Sequence, residues 1–92
     1  MDFEWDERKA RQNKGKHGVP FDYAAGVFLD PHRLDARDDR RNYGEERRVT
    51  LGAIEGRLFA VAYTLRDKTI RLISARKANE RERRRYNETL PA

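Results

Sequence analysis

The chain has no cysteine among its 92 residues, which excludes disulfide staples and thiolate metal sites and points to a reducing compartment, the cytoplasm of a bacterial-type cell. Serine occurs once, at Ser74, so a serine triad lacks its parts. The two histidines, His17 and His32, stand 15 positions apart and many carboxylates sit beside arginines, a pattern that builds no transition-metal site. There is no glycine-rich phosphate loop either, because Gly15 and Gly18 fall within and just after a predicted helix rather than behind a strand. No apolar run approaches the roughly 20 residues of a membrane span. The opening Met1-Asp2-Phe3-Glu4 is acidic where a signal peptide is basic, so neither export nor a membrane partner is expected. Apolar residues make up only 37% of the chain, ten of them alanine, which supports one small core and a single domain over residues 1–92.

Positive charge is concentrated in one block. The net charge is +5, yet residues 1–65 are balanced at 12 basic and 12 acidic side chains, while residues 66–85 hold nine basic against three acidic. A local positive field suits a polyanion, through phosphate contacts and counterion release. A solvated helix face explains the same block equally well.

Local signals define the elements. Phe3 and Trp5 share one face of a short strand over residues 3–5. Asp6 caps a helix over residues 7–17 that Gly18 stops, with Glu7 in its first turn and Lys14, Lys16 and His17 in its last. Phe21, Ala24, Ala25 and Phe28 fall on one side of a second short helix that closes at Asp30-Pro31. A short strand over residues 33–36 and an exposed polar loop follow. Three strands come next, at residues 46–53, 58–66 and 69–76, joined by tight turns at residues 54–57 and at Asp67-Lys68. Asn79 and Glu82 form a capping box at the start of a last helix, which docks through Tyr86 and turns Arg81, Arg84 and Arg85 to water. The order β-α-α, antiparallel β-meander, α describes an α+β domain with its helices against one face of the sheet.

Two-residue turns also fix a register: Ile54 faces Arg57 and Arg66 faces Thr69, so Arg47, Thr64 and Arg71 stand in a row on one face, with Glu45 beside Arg66. Arg76 and Lys77 emerge at the other end of the last strand. Two guanidiniums flanking a hydroxyl suit a phosphate; a surface ladder of glutamates and arginines worth a few tenths of a kcal/mol per pair is the plain alternative. His17 likewise has two readings, an imidazolium favoured by its helix terminus or a proton carrier near neutral pH. His32, in a turn beside Pro31, is expected to be inert. Any catalysis must run on Arg, Lys, Glu, His, Tyr or Thr, with no metal and no cofactor. Such a set suits cleavage of RNA, whose 2′-hydroxyl is a built-in nucleophile.

Several stretches carry a likeness. Phe3-Glu4-Trp5-Asp6 with Lys9 and Asn13, Lys16-His17-Gly18-Val19, Gly44-Glu45-Glu46-Arg47, Tyr63-Thr64, and Ile70-Arg71-Leu72-Ile73-Ser74-Ala75-Arg76-Lys77-Ala78 followed by Glu82-Arg83 and Tyr86 resemble the BrnT family of bacterial type II toxins. The resemblance covers nearly the whole chain. It implies a RelE-like fold, metal-independent endoribonuclease activity that inhibits translation, and neutralisation by a BrnA-type antitoxin. It further implies a heterotetramer of two toxins and two antitoxins that meets operator DNA only through the antitoxin. His17, Glu46, Arg47, Arg71, Arg76 and Lys77 are the catalytic candidates carried over. On this view Arg47, Arg71 and Arg76 hold the scissile phosphate. Glu46 or His17 accepts the 2′-hydroxyl proton, and the other, or Lys77, protonates the leaving oxygen. Arg66, Arg81, Arg84 and Arg85 follow the RNA backbone. Tyr86 serves the core or stacks on a base. A non-catalytic RNA- or ribosome-binding module and a subunit that only holds an antitoxin are the competing readings.

Overall fold

The computed structural model describes residues 1–39 and 44–91. The elements are β1 (Asp2–Glu4), α1 (Glu7–His17), α2 (Phe21–Ala24) continued by a 3-10 turn (Ala25–Leu29), β2 (Leu34–Arg37), β3 (Arg48–Ile54), β4 (Arg57–Arg66), β5 (Thr69–Lys77) and α3 (Glu80–Thr89). The five strands form one sheet in the order β1-β5-β4-β3-β2. The three neighbouring pairs from β2 to β5 are antiparallel, and β1 joins β5 in parallel. This is the expected α+β arrangement. Among the described residues no helix is long and apolar enough to cross a membrane.

The caps act as their sequences suggest. The Asp6 carboxylate accepts from the backbone N–H groups of Arg8 and Lys9, and the Lys9 bond leads in holding it below the ordinary carboxylate range. Gly18 closes α1 in the left-handed region at φ 72°, donating its N–H to the Lys14 carbonyl. Asn79 and Glu82 complete a reciprocal capping box. Glu55 and Gly56, both at positive φ (52° and 81°), make the tight turn between β3 and β4, the geometry that matches strand twist.

Asn13 anchors α1, and it is the helix's one buried residue. Its amide donates to the carbonyls of Val19 and Ala75, at 3.0 and 2.9 Å, while its side-chain oxygen accepts from the Ala75 N–H at 3.0 Å. One side chain thus pairs with the edge of β5 as another strand would.

α1, α2 and the 3-10 turn cover one face of the sheet. Phe3, Phe28 and Tyr63 form a tilted-to-perpendicular aromatic stack there, with centroids 5.5 and 4.9 Å apart, and Tyr23 meets Phe59 at 5.7 Å. The second helix tightens into a 3-10 turn because Val27 presses onto β3 where Gly52 leaves room. A Cβ on Gly52 would lie 2.8 Å from the Val27 Cβ and 2.9 Å from its carbonyl oxygen.

α3 departs from the expected single covered face. It reaches the opposite face through an ion pair from Arg76, and Tyr86 bonds to Asp30 at the edge of β3. Burial works against charge on Asp30, but bonds from the Tyr86 hydroxyl and the Ala53 and His32 N–H groups outweigh it and hold the carboxyl below its ordinary range. Its own burial, and then the bond to Asp30, push Tyr86 up to about 12.

Candidate functional site

The sheet face away from α1 and α2 gathers the arginines. Pairings Glu4 to Arg71 and Arg71 to Thr64 set these three side chains in a row across β1, β5 and β4. Arg66 lies two residues along the same face. Arg71 and Arg76 are five residues apart, so a regular strand would send them to opposite faces. A β-bulge prevents this. Tyr63 pairs with Leu72 but Ala62 pairs with Ser74, leaving Ile73 as the extra residue. Arg76 then pairs with Ala60 on the arginine face, and Ala75, opposite Val61, turns into the core. The two arginines stand four ladder steps apart, about 13 Å along the strand.

The register expected from the turns holds from Ile54–Arg57 through Arg48–Tyr63 and from Arg66–Thr69 to Thr64–Arg71. Yet β3 begins at Arg48 rather than Glu46, because the Thr64 hydroxyl donates to the Glu46 carbonyl at 2.6 Å and takes the place of a ladder bond. Arg47 lies just before the strand, half-buried, with its carbonyl accepting from the Asp38 N–H at 2.7 Å. Thr64 is only 2% exposed, so its committed hydroxyl is not the phosphate ligand that the row suggested.

Each of three arginines on this face has an acidic partner. Arg71 pairs with Glu4, Arg66 meets Glu45 at 3.7 Å, and Arg76 forms a two-pronged pair with Glu82 at 2.7 and 3.0 Å. Arg76 is the leading cause of a Glu82 carboxyl held below its ordinary range. Between α3 and the sheet lies a hollow of about 280 Å³, floored by Ala36, Val49 and Leu51 and walled by Arg37, Arg76 and Arg85 with Asp38, Asp39 and Glu82.

The expected proton carriers sit elsewhere. The Glu46 carboxylate is held by Arg48, on the helix-covered face, in a network in which Arg48 and the Tyr63 hydroxyl both donate to Asp35. Asp35 and Glu46 keep Arg48 more firmly protonated, while burial and then Asp35 raise Tyr63. His17 lines a hollow with Lys9, Lys16, Ile73 and Ser74 at the outer edge of β5. Lys77, paired with Phe59, opens onto a hollow beside Tyr23 and Arg57. For Lys77 the physical reason is strand alternation, since Arg76 and Lys77 are neighbours on β5 and point to opposite faces, whereas Glu46 precedes β3 and is drawn to Arg48. Arg81 and Arg84 are exposed on α3, and only Arg85 of that group joins the arginine face.

Sequence reasoning missed Glu4 and Glu82 as arginine partners. Glu82 was visible only as a cap. Glu4 had no local signal, because 67 residues separate it from Arg71.

A sequence model of the family described as "Ribonuclease toxin, BrnT, of type II toxin-antitoxin system" matches residues 5–82. The chain belongs to the BrnT family. Comparison with curated proteins gives no match. The matched span of this BrnT chain includes His17, Arg47, the bulge, Arg71, Arg76 and Glu82; Glu4 and Arg85 lie outside it. Membership places the protein among ribonuclease toxins of type II modules, and such a module implies an antitoxin partner.

Proposed function

We propose that this BrnT protein is an endoribonuclease of the bacterial cytoplasm that cuts RNA without a metal, by attack of the 2′-oxygen on the adjacent phosphorus, and so inhibits translation. The observation that carries the reading is the bulge at Ile73, which sets Arg71 and Arg76 on one face. As the 2′-oxygen bonds to phosphorus and the bond to the 5′-oxygen breaks, negative charge grows on the phosphoryl oxygens, and fixed guanidiniums favour that charge. Glu4 is the carboxylate on this face in contact with Arg71, and it takes the 2′-hydroxyl proton; the leaving 5′-oxygen is protonated from solvent. The products are a 2′,3′-cyclic phosphate and a 5′-hydroxyl. Arg47, Arg66 and Arg85 extend the positive surface along the strand.

The partner is a BrnA-type antitoxin that covers the arginines. A segment with aliphatic side chains fits the hollow floored by Ala36, Val49 and Leu51, while its acidic side chains meet the arginines beyond it. Two toxins joined through an antitoxin dimer, with operator DNA bound by the antitoxin alone, complete the proposal.

The test is incubation of the purified protein with single-stranded RNA in EDTA. Fragments with 5′-hydroxyl ends support the reading, and Arg71→Ala and Arg76→Ala should each lower cleavage at least tenfold. Wild-type cleavage in both variants removes the arginines from the site. The separation of His17 and Lys77 from the arginines favours a second reading, a module that grips RNA without cutting it; binding with no fragments would establish that reading instead.

A further inference from the structure

The arginine face is rich in ion pairs, so much of its charge is already balanced. The helix-covered face shows the reverse around the hollow at the end of β5. This hollow, of about 270 Å³, has Gly18, Pro20, Tyr23 and Phe59 as its apolar lining and Arg57 and Lys77 as its charged residues, with no acidic side chain among the described residues that line it. Neither cation has an ion-pair partner among the described residues. Both flank Phe59: Lys77 is its direct cross-strand partner, and Arg57 is two residues along on the same face of β4. The Tyr23 ring is half-buried and set edge-on to Phe59, with an interplanar angle of 84°.

We propose that this hollow is a nucleotide subsite for single-stranded RNA: one base lies against Tyr23 and Pro20 while its phosphate is held between Lys77 and Arg57. The proposal rests on RNA being the substrate and extends the site around the end of β5. Arg76 and Lys77 are consecutive residues about 3.8 Å apart at Cα, pointing to opposite faces, so one strand of RNA passing that end meets both. An aromatic ring beside uncompensated cations is the arrangement that binds single strands without reading sequence. The hollow is smaller than the roughly 300–1,000 Å³ of sites that enclose a drug-sized ligand, which fits a single ring resting in an open recess. A peptide has less to hold here. β4 and β5 pair with each other through Phe59 and Lys77, so the edge between them is filled and takes no added backbone.

The probe is a fluorescent single-stranded RNA methylated at every 2′-oxygen, which blocks cleavage, titrated with the full chain by anisotropy over a salt series. Arg57→Ala combined with Lys77→Ala should weaken binding about tenfold. It should also make the plot of log affinity against log salt shallower by about 0.7 for each phosphate that is no longer neutralised. Tyr23→Leu should weaken binding several-fold and leave the slope unchanged; should it fail to fold, the exposed pair of cations still decides. Wild-type affinity and slope in the double variant would overturn the subsite while leaving the arginine face standing. The same result with loss of antitoxin binding would reassign the hollow to a protein partner. No binding by the wild-type chain would instead sink the RNA reading itself.

Discussion

Replacing Asn13 tests how the end of α1 is fixed against the sheet. Its three hydrogen bonds, at 2.9 to 3.0 Å, join α1 to the Val19 carbonyl and to both backbone groups of Ala75. Asn13→Ala strands one donor and two acceptors. Each such group costs about 1–3 kcal/mol when dry, and the low end applies here because the neighbouring hollow admits water. The expected loss is about 3 kcal/mol, a large share of the roughly 5–15 kcal/mol that holds a small domain together. Asn13→Asp should be worse at neutral pH, because it keeps an acceptor for the Ala75 N–H but aims negative charge at two carbonyl oxygens. That site raises the pKa of the introduced carboxyl, so the deficit should shrink as pH falls and a proton restores one donor. Urea unfolding followed by circular dichroism, at pH 4 and pH 7, measures both effects. A loss below about 1 kcal/mol in Asn13→Ala, or an aspartate variant as stable as the alanine variant at neutral pH, would refute the reasoning.

Three further outcomes are expected. Deleting Ile73 removes the extra residue of the bulge and preserves every cross-strand pair, so the variant should fold and keep Arg71 and Arg76 on one face; RNA affinity more than tenfold below wild type would show that the bulge does more than align them. Glu82→Gln keeps an N3 cap for α3 while removing the charge that balances Arg76, so affinity for methylated RNA should rise a few-fold, and an unchanged or lower affinity would take Arg76 off the binding surface. The bond from Tyr86 to Asp30 stabilises the fold fully at pH values above the ordinary aspartate value of 3.8 and below the ordinary tyrosine value of 10.0. Stability should therefore fall on acidification from 3.8 down through the lowered Asp30 range and again as pH rises from about 10 to about 12, and Tyr86→Phe should lose about 1.5–3 kcal/mol at pH 7 and diminish the alkaline fall. Urea midpoints across pH measure this, and an alkaline limb of undiminished size in Tyr86→Phe would contradict the assignment, since Tyr63, also raised, accounts for only the remainder.

Much of the fold was legible because its signals are local. Asp6 with Gly18 and Asn79 with Glu82 bound their helices by bonds that span a few residues, and the turns at Glu55-Gly56 and Asp67-Lys68 carry the register from Ile54 to Arg71. What escaped depends on distant partners. β1 is three residues long and its parallel pairing with β5 leaves no mark in spacing. The tightening of residues 25–29 answers to Gly52 across the core. The bulge did leave a trace, the adjacent apolar pair Leu72-Ile73 in an otherwise alternating strand. Its effect on Arg76 follows only once the pairing with β4 is known. The candidate site was legible as an excess of arginine, while the choice of acidic partner, and hence which charge stays uncompensated, was settled by the three-dimensional arrangement.

The parallel seam between β1 and β5 has a consequence for when the proposed site can assemble. Glu4 is made 67 residues before Arg71, and closing so long a loop carries an entropic cost of about 4 kcal/mol before any interaction compensates it. A growing or prematurely ended chain therefore carries a lone carboxylate and no guanidinium beside it. Under the proposed function, cleavage is withheld until both arginines of the face have been made, and only then does an antitoxin meet the whole of that surface.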